Sequence, residues 1–128
     1  MAVERHVNLL GILATLWGAL AILVGVSMLL LAAAATAEFL APAANRIEFA
    51  ASLTAAVFVV VGVFVLLWGG AHVWAAVLLR RRRAVGRVLS LALAIVNLLV
   101  LPFGTAFGAY ALWVLLRDDG RRLFEPAR

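Results

Sequence analysis

The sequence predicts an all-α membrane protein: four transmembrane helices in an antiparallel bundle, with both termini on the cytoplasmic side. The 128-residue chain is 67% hydrophobic and only 13% charged, whereas soluble domains are about half apolar and a quarter charged. Its apolar residues form long runs without the alternation of strands. Its eleven basic residues are all arginines and lie mainly at the ends of those runs. A chain of this size cannot hide so much apolar surface from water, so lipid must solvate it.

Four apolar segments predict spans at about 7–35, 49–79, 84–101 and 103–117 in one domain, residues 1–128. A spanning helix needs about 20 apolar residues. The first two segments must therefore tilt or protrude, the third just suffices, and the fourth is short unless Arg117 snorkels. The turn "LPFG" suits a new helix, because Pro102 fits its first position and Thr105 is placed to cap it. The first run exceeds a signal-peptide core, although the small residues of "AAAATA" leave processing there as an alternative.

Arginine placement predicts the orientation. With four spans, ten arginines lie on the side of the termini and the middle loop, and only Arg46 lies on the other. The positive-inside rule then puts both termini in the cytoplasm. A nucleic-acid partner is not expected, because the arginines do not follow one face. Topology determination is the simpler interpretation, and the alternative is binding of anionic lipid headgroups such as cardiolipin. The residues concerned are Arg80, Arg81, Arg82, Arg83 and Arg87.

Small residues recur every seven positions in the first two segments. Such a step returns to nearly the same helix face, and small residues let membrane helices approach closely. The simplest interpretation is that the first helix packs against the second, and the alternative is a subunit interface in a homo-oligomer. Gly104 and Gly108 in the fourth segment form a Gly-x-x-x-Gly pair, which suits close packing against the third helix. The predicted packing residues are Gly11, Gly18, Gly25, Gly62, Gly69, Gly104 and Gly108.

Three polar residues are candidates for an intramembrane role. His72 lies two turns before the arginine run, Asn97 lies in the third segment, and Asn8 is on the same side as His72. An ionisable residue within a membrane is a functional candidate by default. The simpler expectation is that His72 is neutral and bonds a neighbouring helix, with Asn8 as a partner. Asn97 is expected to bond another helix, a contact worth about 1 kcal/mol.

Enzymatic chemistry has little support in the residues. The six carboxylates all lie outside the apolar runs, and there is no cysteine. No catalytic set, phosphate loop or metal-ligand spacing is visible, so no catalytic residue, cofactor or metal is expected.

The last quarter of the chain resembles a known group. Its residues Pro102, Gly104, Thr105, Gly108, Tyr110, Leu112, Trp113, Leu115 and Leu116 fit the pattern P-x-G-T-x-x-G-x-Y-x-L-W-x-L-L. This is similar to the C-terminal hairpin of small bacterial four-span membrane proteins of uncharacterised function. The resemblance implies four spans and a bacterial inner membrane, and it implies no activity.

These observations lead to three hypotheses of function. The first is a non-enzymatic integral membrane protein that self-associates and has a structural or partner-subunit role. The second is a small oligomeric channel or pore, with glycines of the first two helices near its axis and His72 or Asn97 lining it. The third and weaker one is a holin-like membrane disruptor.

Overall fold

The computed structural model describes residues 2–39, 48–100 and 102–124. Every regular element among them is helical, which confirms the all-α prediction. The helices are α1 (Ala2–Phe39), α2 (Glu48–Arg80), α3 (Ala84–Asn97), α4 (Phe103–Leu116) and α5 (Asp118–Arg122).

Two helices are long and apolar enough to cross a membrane. The qualifying stretches are Val3–Ala37 in α1 and Ala50–Arg80 in α2. Helices α3 and α4 have 14 residues each, which is about 21 Å of helix and less than the ~30 Å of a hydrocarbon core. Four spans and the orientation of the termini therefore stay predictions.

Contacts divide the chain into two compact units, and the prediction of a single domain is not tested by this division. The first unit comprises Met1–Trp17 and Ala71–Arg128, and the second comprises Gly18–Gly70. Both units contain parts of α1 and α2, while α3, α4 and α5 belong to the first unit alone.

Close approach of two helices characterises the second unit. A Cβ added to Gly69 would stand 2.6 Å from the Gly18 carbonyl oxygen, and one added to Gly25 would stand 2.9 Å from the Gly62 carbonyl oxygen. Real Cβ atoms essentially never come so near to backbone atoms. Only residues without a side chain fit at these crossings, because the two backbones are nearly in contact.

The outward faces of the second unit are apolar. Val60, Phe64 and Leu67 of α2 are at least 64% exposed, and Leu30 of α1 is 66% exposed. A soluble protein of this size rarely exposes such large contiguous apolar patches.

The first unit has its own core, to which α1, α2, α3, α4 and the C-terminal segment all contribute. Helix α4 packs closely on α3, because a Cβ on Gly108 would stand 2.5 Å from the Ala94 carbonyl oxygen. Helix α3 is equally close to α2, with Gly86 set against the backbone of Leu78 and Leu79. The buried core residues are Val7, Leu10, Leu79, Ala94, Ala111, Val114, Leu115 and Phe124.

The connection between α3 and α4 differs from the expectation. Helix α3 ends at Asn97 rather than near Leu101, and turns follow through Val100. The N–H groups of Leu99 and Val100 donate to carbonyls three residues back, the tighter spacing with which many helices end, so α3 stops before the apolar run does. Pro102 stands just before the first residue of α4. The Thr105 hydroxyl was expected to cap α4. It instead donates a 2.9 Å hydrogen bond to the Leu98 carbonyl oxygen of the preceding turn.

Candidate functional site

The first unit gathers arginines from four stretches of sequence at one end. Arg82, after α2, lies 3.3 Å from the Glu4 carboxylate at the start of α1. Arg87, in the first turn of α3, donates a 3.1 Å bond from Nε to the Leu115 carbonyl oxygen at the end of α4. These contacts join the start of α1, the α2–α3 turn and the end of α4. The arginine-rich end consists of Arg5, Arg80, Arg81, Arg82, Arg83, Arg87, Arg117, Arg121 and Arg122.

Positive charge dominates this end. Against the nine arginines, the described residues of the first unit contain three carboxylates, those of Glu4, Asp118 and Asp119. Seven of the arginines are exposed, while Arg82 and Arg87 are half-buried. The expected headgroup residue Arg87 therefore has one N–H committed to the end of α4, and the other arginines are better placed to reach a surface ligand.

The turn between α2 and α3 contains a backbone conformation that usually requires glycine. Arg82 has φ 52°, the left-handed region. Its N–H donates to the Leu79 carbonyl (2.9 Å), and the N–H of Arg83 donates to the Leu78 carbonyl (3.0 Å). This is the Schellman pattern that ends many helices, with glycine most often at the left-handed position. Arginine at this position maintains a positive charge at the cost of backbone strain.

An aromatic cluster lies beside the arginine-rich end. The Tyr110 hydroxyl and His6 Nδ1 are 3.0 Å apart. The ring centres of His6 and Trp113 are 5.6 Å apart, and the two rings are nearly perpendicular. The Arg117 guanidinium lies 4.8 Å from the Trp113 ring centre, a cation–π distance. The Trp113 side chain remains half exposed. Rings with one apolar and one polar side suit the boundary between lipid and water.

His72 and Asn97 form a buried polar pair. Asn97 Nδ2 lies 2.7 Å from His72 Nε2, and the two residues are 0% and 1% exposed respectively. In this amide orientation the Asn97 N–H donates to the unprotonated Nε2. The bond connects α2 with α3, and the Phe107 ring of α4 lies 6.2 Å from the imidazole. Asn8, the partner that the sequence suggested for His72, is exposed instead.

A small cavity adjoins this pair. Its volume is about 10 Å³, close to the minimum that one water molecule needs. His72 and Ser90 are its polar lining residues, and apolar side chains of α1, α3 and α4 surround them. Within the described part of the chain, Ser90 Oγ and Asn97 Oδ1 are buried without a hydrogen-bond partner. The described residues contain no cluster of three or more His, Asp or Glu that could hold a metal ion.

Several of these contacts were not apparent in the sequence. His6 and Tyr110 are separated by 104 positions, and only the fold brings them together. The spacing of Tyr110 and Trp113 on one helical face was a partial signal, but it identified neither His6 nor Arg117 as a neighbour.

No family model matches this sequence, and neither the curated proteins nor the solved structures contain a similar chain.

Proposed function

We propose that this protein is a non-enzymatic integral protein of the bacterial inner membrane, which self-associates and serves as a structural or partner subunit. The observation that carries the proposal is the apolar exterior of the second unit. Side chains such as Val60 and Leu67 are about 70% exposed there, and burial of an apolar side chain is worth about 1.5–3 kcal/mol. Lipid provides that burial for every outward face of two helices at once.

The arginine-rich end supports an orientation with both termini in the cytoplasm. Nine arginines and three carboxylates come together there, in agreement with the excess of positive charge on cytoplasmic loops. Arg82 adds support of a different kind. Its left-handed backbone favours glycine, so the arginine at this position favours a role for charge over local stability.

The same end supports anionic lipids as partners. Arginine forms bidentate hydrogen bonds to phosphate, and basic clusters beside a membrane helix attract anionic headgroups by about 1 kcal/mol for each Lys or Arg. The half-exposed Trp113 with Arg117 stacked on it gives this surface an aromatic anchor at headgroup level.

Self-association is supported by Gly70. Its neighbour Gly69 is set tightly against α1, but a Cβ on Gly70 would meet no described heavy atom within 4 Å beyond its own stretch of helix. An exposed glycine on an apolar membrane helix leaves a notch in which a second helix can approach closely. We therefore place the subunit contact at Gly70 on α2.

A pore is the second candidate. The buried pair of His72 and Asn97, with the adjoining cavity, is the observation in its favour. However, the glycines that a pore would place near its axis, such as Gly25 and Gly69, lie against the other helix of the same chain. A structural or partner role therefore has stronger support than a pore.

Four measurements test the proposal. Reporter fusions at each terminus should both give cytoplasmic signals. The protein should stay in membranes after alkaline carbonate extraction, and its release would refute the membrane assignment. Native mass spectrometry in mild detergent should show an oligomer that Gly70→Leu weakens and Gly70→Ala preserves. A monomer at all concentrations would refute self-association, and ion flux in protein-containing liposomes would favour the pore.

A further inference from the structure

The tip of the α3–α4 hairpin is apolar and exposed. From Leu98 to Gly104 the sequence is "LLVLPFG", without a charged or hydrogen-bonding side chain. Leu99 and Phe103, 82% and 74% exposed, are the most exposed large apolar side chains among the described residues. Loops that face water are usually rich in Asn, Asp, Ser and Gly. The composition of this tip instead suits contact with lipid acyl chains.

Several backbone groups of the tip are paired locally among the described residues. The Leu98 carbonyl accepts the Thr105 hydroxyl at 2.9 Å, and the Val100 carbonyl accepts the Thr105 N–H at 3.1 Å. The N–H groups of Leu99 and Val100 donate to carbonyls of the last turn of α3, and Pro102 has no N–H to satisfy. In membrane helices, Ser or Thr side chains and tight local turns re-pair backbone groups that a proline or glycine frees, and the Thr105 hydroxyl and the turns after Asn97 do this for the carbonyls of Leu98 and Val100.

The hairpin is also too short to cross a membrane of ordinary thickness. Leu99 lies sixteen residues after Arg83, which corresponds to about 24 Å of helix. The hydrocarbon core is about 30 Å thick. With the arginine-rich end at the cytoplasmic headgroups, the tip stops about 6 Å before the opposite headgroup layer.

We propose that α3 and α4 form a re-entrant hairpin, which enters from the arginine-rich side and ends in the hydrocarbon of the opposite leaflet. Its tip is then a binding surface for lipid acyl chains, formed by Leu99, Val100 and Phe103. Only α1 and α2 cross the membrane. This inference rests on the proposed membrane function but specifies a topology with two spans instead of four. Both topologies keep the two termini on one side, so terminal reporters do not distinguish them.

Depth measurements with spin labels test this proposal. The chain has no cysteine, so single labels can be placed without further changes. Leu99→Cys and Phe103→Cys place labels at the tip, where the large exposure of both side chains makes the substitutions tolerable. Ala43→Cys, in the segment between α1 and α2, and Arg81→Cys provide one reference for each membrane side. Val60→Cys provides a reference for lipid contact.

The labelled proteins are placed in liposomes of phosphatidylethanolamine and phosphatidylglycerol. We expect labels at the tip to collide with oxygen, which dissolves in lipid, and to be shielded from a water-soluble nickel chelate. The label at Val60 should behave in the same way. The labels at Ala43 and Arg81 should meet the chelate freely. Nickel access at Leu99 equal to that at Ala43, with Val60 still shielded, would overturn the re-entrant hairpin but not the membrane assignment. Nickel access at Val60 as well would refute the proposed function itself.

A substitution provides an independent test. Leu99→Asp places a charge at an exposed position, so it disturbs no packing within the chain, and the short Asp side chain cannot reach headgroups about 6 Å away as a long Arg side chain can. At a hydrocarbon depth it should lower membrane insertion several-fold, whereas the control Arg81→Leu should not. Unchanged insertion of Leu99→Asp would contradict the proposal.

Discussion

Adjacent glycines in α2 provide a sharp test of the helix contact in the second unit. A Cβ on Gly69 would stand 2.6 Å from the Gly18 carbonyl oxygen and 2.9 Å from the Ile22 backbone nitrogen. Both are backbone atoms, which a change of side-chain rotamer cannot displace. An alanine at position 69 therefore forces the two helices apart. A Cβ on Gly70 would meet no described heavy atom within 4 Å beyond its own stretch of helix. Both positions are in the same helix, one residue apart.

The expected magnitudes follow from this geometry. Overpacking by one methyl group costs about 1–3 kcal/mol, and replacement of glycine by alanine within a helix returns up to about 1 kcal/mol. Gly69→Ala should therefore be neutral to destabilising, and Gly70→Ala should be neutral to stabilising. Because the gain in helix propensity is common to both variants, the difference in unfolding free energy between them isolates the contact. We expect it to be about 1–3 kcal/mol.

Unfolding in mixed detergent micelles, followed by circular dichroism as the fraction of denaturing detergent rises, measures this difference. Gly25→Ala should lie between the two variants, because its nearest obstacle is the Leu66 side chain at 2.7 Å, although the Gly62 carbonyl oxygen is only 2.9 Å away. A difference below about 0.5 kcal/mol between Gly69→Ala and Gly70→Ala, within the error of such comparisons, would refute the inferred contact.

Three further predictions concern the first unit. His72→Leu and Asn97→Leu should each cost about 1–3 kcal/mol because each removes one partner of the buried 2.7 Å bond; in a double-mutant cycle, a coupling energy near zero would contradict the buried bond. Arg82→Gly should raise stability by up to about 1 kcal/mol by relieving the strain of the left-handed backbone. Loss of the Glu4 ion pair should reduce this gain slightly. Equal destabilisation by Arg82→Gly and Arg82→Ala in thermal unfolding would contradict the prediction. Thr105→Val should cost about 1–2 kcal/mol in micelles by removing the donor to Leu98, and Thr105→Ser should keep most of the stability; an unchanged Thr105→Val, which keeps the shape and lacks the hydroxyl, would contradict the contribution of this bond.

The sequence was sufficient for the helical fold but not for the ends of every helix. The apolar composition and long uninterrupted runs predicted helices, and the structure has no other regular element among the described residues. Helix α3 was predicted to continue to Leu101 because hydropathy reports the environment of a residue and not its hydrogen bonding. The turn residues Pro102 and Gly104 predicted that the helix ends before α4, but not that it ends already at Asn97. Orientation and the number of spans remain predictions.

The candidate site was predictable only in part. His72 and Asn97 stood out because polar side chains are rare in apolar runs, but nothing along the chain indicated that they bond to each other across 25 positions. The arginines were evident, whereas the strained backbone of Arg82 depends on the turn that follows α2. The cluster of His6, Tyr110 and Trp113 depends on the packing of α1 against α4, which no local pattern encodes.

The small residues of α1 and α2 also have a consequence for how the pair can misalign. Gly18 lies against Gly69 and Gly25 lies against Gly62. The contact that lies seven residues later in α1 therefore involves the residue seven positions earlier in α2. A slip of one helix by seven residues, about 10 Å, would again place small residues opposite one another, for example Gly18 opposite Gly62. The steric fit alone is therefore periodic and permits more than one alignment. Selection of the native alignment therefore depends on features that do not repeat, such as the length of the segment between the helices.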